Sequence, residues 1–156
     1  MRHRKKGRKL GRNCSHRLAL RRNLMRGLFL SPDLRICTTL PKAKEVKPYV
    51  EKMISLARVK SLHTYKRALS LLPDEGAVAR LFNEIAPPFA ESGRPGGYTR
   101  ILKRAKRRLG DNGQTAFLQI IQEGADRKKK RRPRRLSLKR KAKGETAPKR
   151  EGKSSE

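Results

Sequence analysis

Arg2, Arg4, Lys5, Lys6, Arg8, Lys9 and Arg12 crowd the start of the chain, separated only by His3, Leu10 and two glycines. The first 26 residues carry eleven Lys or Arg and no Asp or Glu. The chemistry open to such a run is capture of a polyanion. Lys and Arg displace condensed counterions from phosphates, so affinity falls with salt at a log-log slope of about 0.7 to 0.9 per contact. Arg adds bidentate phosphate bonds and stacking on unpaired bases, which Lys cannot combine. Ser15, His16 and Arg17 follow directly. His3 and His16 can stack on bases or bond phosphate oxygens. Gly7 and Gly11 keep the run pliable but do not make a phosphate-binding loop. That motif needs four residues between its glycines and then Lys-Ser/Thr, whereas here three intervene and Arg12 follows.

A second basic group comprises Lys103, Arg104, Lys106, Arg107 and Arg108. It contacts RNA or forms a solvated strand edge that resists aggregation. Just before it, Gly96-Gly97 lead into Tyr98, Thr99 and Arg100. Glycines let backbone approach a nucleic acid closely, so Thr99 and Arg100 are candidate phosphate contacts. Tyr98 has two readings, packing on the core or stacking on a base. No Ser/His/Asp or Cys/His arrangement has supporting context, so no enzyme, cofactor or small-molecule substrate is expected. His3, Cys14, His16 and Cys37 supply one Cys-x-His and no second pair. That spacing matches no standard structural zinc site.

The whole chain sets 43 Lys and Arg against 13 acids over 156 residues, a formal charge of +30. Such a charge points to nucleic acid as partner, with an anionic membrane a distant second. Residues 127–156 hold fifteen Lys or Arg and three acids, while residues 27–126 hold seventeen and ten. That nearly balanced middle also carries almost all the aromatics and is the folded body. The expected organisation is a basic arm over residues 1–14, a globular domain over 15–124 and a disordered basic tail over 125–156. With no apolar leader near the start and no apolar run of membrane-spanning length, a cytoplasmic protein with free thiols is expected.

The elements that position these residues follow from periodicity. Asn13 or Ser15 caps a first helix, whose Leu20, Leu24 and Leu28 recur at four-residue steps to about Leu30, with Arg22 and Arg26 opposite. Arg35 to Thr39 reads as a strand. Pro41 opens a second helix with Ala43, Val46, Val50, Met53, Ile54 and Ala57 on its buried face. Pro48 predicts either a kink or a late start for the regular helix. Ser61 caps a third helix, and Pro73-Asp74-Glu75 begin a fourth that Pro87-Pro88 should terminate. Tyr98 to Ala105 and Gln114 to Gln122 form a hairpin about Asn112-Gly113. The order α-β-α-α-α-β-β predicts a small two-layer α+β domain, helices packed on a three-stranded mixed sheet.

These residues resemble the bacterial large-ribosomal-subunit protein L-seventeen family. The resemblance is carried by the opening MRHRK, by Arg12-Asn13 and Ser15-His16-Arg17, and by the run Thr38 to Glu45. Leu81-Phe82-Asn83-Glu84, Gly96 to Leu102 and Gly110-Asp111-Asn112 complete it, in order, over residues 1 to about 122. The resemblance implies an α+β domain and a structural, non-enzymatic part of the large (50S) subunit. It further implies binding to large-subunit ribosomal RNA near the peptide exit side, beside neighbouring ribosomal proteins, in support of translation and subunit assembly. It says nothing about the tail beyond about Asp126. Composition alone leaves one alternative, a DNA-binding histone-like architectural protein.

Overall fold

The computed structural model describes His3 and residues 7–121; Arg2, Arg4, Lys5, Lys6 and residues 122–156 lie outside the described residues. Helix α1 spans Cys14–Leu30, and Asn13 caps it by accepting the His16 N–H at 2.9 Å. Strand β1 follows at Arg35–Thr39, then α2 at Leu40–Ala57 with Pro41 in its first turn. Proline is tolerated there because that turn's N–H groups have no intrahelical partner.

The predicted buried face of α2 is fully realised: Ala43, Val46, Val50, Met53, Ile54 and Ala57 are all buried. The expected fault at Pro48 does not interrupt the helix. Both Pro48 and Lys44, one turn earlier, are exposed, so water can take the carbonyl that the missing N–H leaves unbonded.

Helix α3 (Leu62–Leu71) begins with a reciprocal capping box between Ser61 and Thr64. Helix α4 (Glu75–Arg80) is capped by Asp74, whose side chain accepts the Ala77 N–H at 2.8 Å. The chain then makes one π-helical turn, Leu81–Ile85, and continues into α5, Pro87–Glu91. The proline pair therefore starts a helix where it was expected to end one. Pro87 occupies the first-turn position, where its fixed φ suits a helix and its lost donor costs nothing.

Strands β2 (Thr99–Lys103) and β3 (Thr115–Ile120) complete a sheet in the order β1-β3-β2. The expected mixed sheet is antiparallel throughout. The hairpin's return strand, not its first, lies beside β1, with Cys37 opposite Phe117 and Thr39 opposite Thr115. On its other side β3 sets Phe117 against Leu102 and Ile120 against Thr99.

Alternation divides the two faces. Ala116, Leu118 and Ile120 point into the core, where α2 lies across all three strands. Phe117 and Gln119 share the outer face with Arg35, Cys37, Arg100 and Leu102. Helices α1 and α3 and the π-turn pack on α2, with α4 against α1 and α3, closing a core that includes Leu28, Phe29, Val78, Leu81 and Phe89.

Candidate nucleic-acid interface

The described part of the arm, from Gly7, is held by its backbone and presents Arg8 and Lys9 to solvent. The Arg8 N–H donates to Glu45 Oε2 on α2 at 2.9 Å, while Arg8 and Lys9 are exposed. Gly7 sits at φ +89°, and a Cβ there would lie 3.1 Å from the same Glu45 carboxylate, so only glycine fits without strain. Leu10 and Gly11 are also left-handed, and the Arg12 N–H donates to the Lys9 carbonyl at 3.1 Å. The arm therefore turns back sharply before α1. Arg12 braces that turn, donating to the Leu10 carbonyl at 3.0 Å and to His16 Nε2 at 3.3 Å.

The first half of α1 stands off the body. Its buried residues are Met25, Leu28 and Phe29, and Leu18 is 41% exposed. Ser15 and His16 are exposed and Arg17 is half-buried on this projecting segment. The arginines expected on the far face of α1 are used internally. Arg22 donates to the last carbonyls of α3, at 3.2 Å to Leu71, and Arg26 pairs with Asp74 at 2.6 Å. Arg21 lies 4.4 Å from the Tyr49 ring centre.

Two candidates from the sequence turn inward. Tyr98 is completely buried, packs on Phe89 with ring centres 5.0 Å apart, and donates its hydroxyl to the Arg94 carbonyl at 3.2 Å. It has no face for a base. Thr99 is buried as well, its hydroxyl 2.6 Å from Glu51 Oε1. The Glu51 carboxylate, from α2, also accepts the N–H groups of Tyr98 and Thr99 at 2.9 Å each, pinning the start of β2. Of the two readings for Tyr98, core packing is the one realised. The neighbouring glycines serve the turn: Gly97 has φ +70°.

The hairpin turn does gather cations. Arg104, Lys106, Arg107 and Arg108 line an open hollow of about 320 Å³ together with Leu109 and Thr115. Lys103 is exposed but does not line it, and the Arg100 guanidinium lies 3.5 Å from Gln119 Oε1. Arg108 forms a bidentate pair with Asp111, which also accepts the Gly113 N–H at 3.1 Å. The Arg108 guanidinium, followed by the Gly113 N–H, holds the Asp111 carboxyl far below the ordinary carboxylate range.

The acids of the body are largely spent on the fold. Glu45 holds the arm, Glu51 holds β2, Asp74 caps α4, and Asp33, Glu84 and Asp111 pair with Arg35, Arg80 and Arg108. Cations still outnumber acids in the body, seventeen to ten over residues 27–126, so positive charge dominates the field felt outside. Cys14 and Cys37 are both free and exposed. Among the described residues, no group of three or more His, Cys, Asp and Glu could hold a metal.

Phe117 was not distinguished by the sequence. It lies on the outer sheet face between two guanidiniums, with Arg104 5.0 Å and Arg35 5.5 Å from its ring centre. The signal was available in the run TAFLQI. Ala116, Leu118 and Ile120 keep the two-residue period of a buried face, which leaves Phe117 as the large apolar residue out of phase.

Comparison with known proteins adds an independent line. The family described as ribosomal protein L17 matches residues 20–121. The large ribosomal subunit protein bL17 of Thermus thermophilus is 47% identical over 122 residues, covering 78% of this chain and all of that protein. The bL17 protein of Desulfotalea psychrophila is 49% identical over 121 residues, covering 78% of this chain and 90% of its own length.

Proposed function

The chain belongs to the ribosomal protein L17 family, a structural and non-enzymatic component of the large subunit in the bacterial cytoplasm, and from that premise we propose how it engages its partner. It binds large-subunit ribosomal RNA through its arm and the projecting start of α1, with the hairpin turn as a second contact. Neighbouring large-subunit proteins meet other parts of the surface. The observation that carries this reading is the arm itself. The backbone of Arg8 is fixed to Glu45, Arg8 and Lys9 are exposed there, and residues 1–26 contain no acid to offset their cations. A chain so arranged reaches into folded RNA while its body stays docked outside. The same engagement supports subunit assembly, because cations that neutralise converging phosphates allow RNA segments to approach.

Removing residues 2–12 tests this. The deletion takes away seven Lys or Arg. If all seven meet phosphate, the salt slope of RNA binding should fall by about 5 to 6. The deleted chain should incorporate poorly into large subunits washed at high salt. The arm's bond to Glu45 is a single exposed hydrogen bond worth about 1 kcal/mol, so the melting temperature should fall by only a few degrees. Unchanged incorporation, or recovery of the protein mainly with chromosomal DNA as the histone-like alternative requires, would refute the reading.

A further inference from the structure

The outer face of the sheet is the largest feature that an RNA-binding arm does not account for. Helices cover the inner face, and no element of the described residues packs on the outer one. A registered apolar strip crosses it, Cys37 opposite Phe117 and Phe117 opposite Leu102. Cys37 is exposed and Leu102 is 43% exposed. A Phe at the centre of a three-stranded sheet would be unfavourable on a face meant only for water, where polar residues normally stand. The surrounding charge indicates what covers it. The guanidiniums of Arg35 and Arg104 lie over the ring, so a base joins this layer by stacking on a guanidinium or displacing one from the ring. The hollow of Arg104, Lys106, Arg107 and Arg108 lies on the same hairpin. The nearest acids, Asp33 and Asp111, are already paired with Arg35 and Arg108.

We propose that this face is a stacking platform for an unpaired nucleotide of RNA, whose base lies on the Phe117–arginine layer while its flanking phosphates run into the hairpin hollow. The proposal rests on the ribosomal-RNA reading above and assigns a particular kind of RNA to one surface. Aromatic rings and guanidinium planes are the two supports on which splayed-out bases stack, and here they are adjacent. A base within a duplex is already stacked on both faces, so the platform selects single-stranded or bulged RNA. The cations bind any phosphate chain; the ring supplies the selectivity.

The test uses the full chain with a fluorescein-labelled single-stranded uridine ten-mer and an RNA hairpin duplex of similar phosphate count. Phe117→Leu keeps an apolar side chain and the charge but removes the π-face. Loss of one stacked base corresponds to about tenfold weaker binding of the single strand. Affinity for the duplex should stay within about twofold, and the salt slope for both should be unchanged, because no cation is lost. Equal single-strand affinity for the variant and the unaltered chain would overturn the proposal. Failure of the unaltered chain to bind either RNA would instead overturn the broader function.

A second measurement stands even if Leu at position 117 unfolds the domain. In a Cys14→Ser chain, a photoactivated cross-linker attached to Cys37 sits beside Phe117. In assembled large subunits it should cross-link to RNA at an unpaired nucleotide. A cross-link to another protein, to base-paired RNA, or no cross-link at all would refute the assignment.

Discussion

Glu51→Ala should be among the most damaging single substitutions outside the apolar core. Glu51 sits on α2 and receives three hydrogen bonds, from the N–H groups of Tyr98 and Thr99 and from the Thr99 hydroxyl. It is the polar tie between the central helix and the first residues of β2. Removing it leaves those donors facing the space vacated by the side chain. An unsatisfied buried donor costs about 1 to 3 kcal/mol, and water reaching the site recovers part of that. Three donors at the low end give roughly 3 kcal/mol, a large share of the 5 to 15 kcal/mol expected for a domain. At about 4 to 8 °C per kcal/mol, the melting temperature should fall by about 12 to 24 °C.

Circular dichroism followed through thermal and urea unfolding measures this directly, with Glu91→Ala as an exposed-carboxylate control expected within about 0.5 kcal/mol. Thr99→Val, which removes only the hydroxyl bond, should cost about 1 kcal/mol. A loss below about 1 kcal/mol for Glu51→Ala would refute the account. It would mean that strand pairing alone positions β2.

Three further outcomes follow from the geometry. Asn13→Ala removes the α1 cap and should cost about 1 kcal/mol, with amide exchange accelerating first over residues 14–20, the segment that stands off the body. Pro48→Ala restores an N–H on an exposed helix face and should stabilise the domain by about 1 to 3 kcal/mol; a lower melting temperature would show the proline relieves strain elsewhere. Asp111 has its folded pKa depressed, so whatever the pair adds to the turn is present above the unfolded carboxylate pKa and is lost only as pH falls through the lower folded value. In Arg108→Ala, the Asp111 carboxyl should therefore titrate upward toward the ordinary range, as read by NMR of its side-chain carbon.

Legibility in the sequence followed the range of the interactions. The buried face of α2, the cap at Ser61 and the start of α4 at Pro73-Asp74-Glu75 are set within a few residues, so periodicity and local side-chain chemistry identify them. The proline pair was misread because termination and initiation use the same residue. Only the π-turn at Leu81–Ile85, stabilised by the burial of Leu81, Phe82 and Ile85, shows that the chain stays helical. Tyr98 was ambiguous because its direction depends on Glu51, 47 residues earlier. Phe117 escaped attention because a strand's exposed face is known only once the partner strands and covering helix are placed. Family resemblance resided in residue order along the whole body, which charge alone does not encode.

The position of β3 has a consequence for how the protein is made. Because β1 and β2 pair only with β3 and never with each other, the sheet cannot exist until the last strand has been synthesised. A nascent chain ending before Thr115 has helices and two unpaired strands, and the β1–β3 pairing it still lacks spans more than seventy residues. Such non-local closure is slow. The basic arm is thus synthesised long before the body that anchors it has folded. Its companion on the molecule, the platform around Phe117, comes into being last.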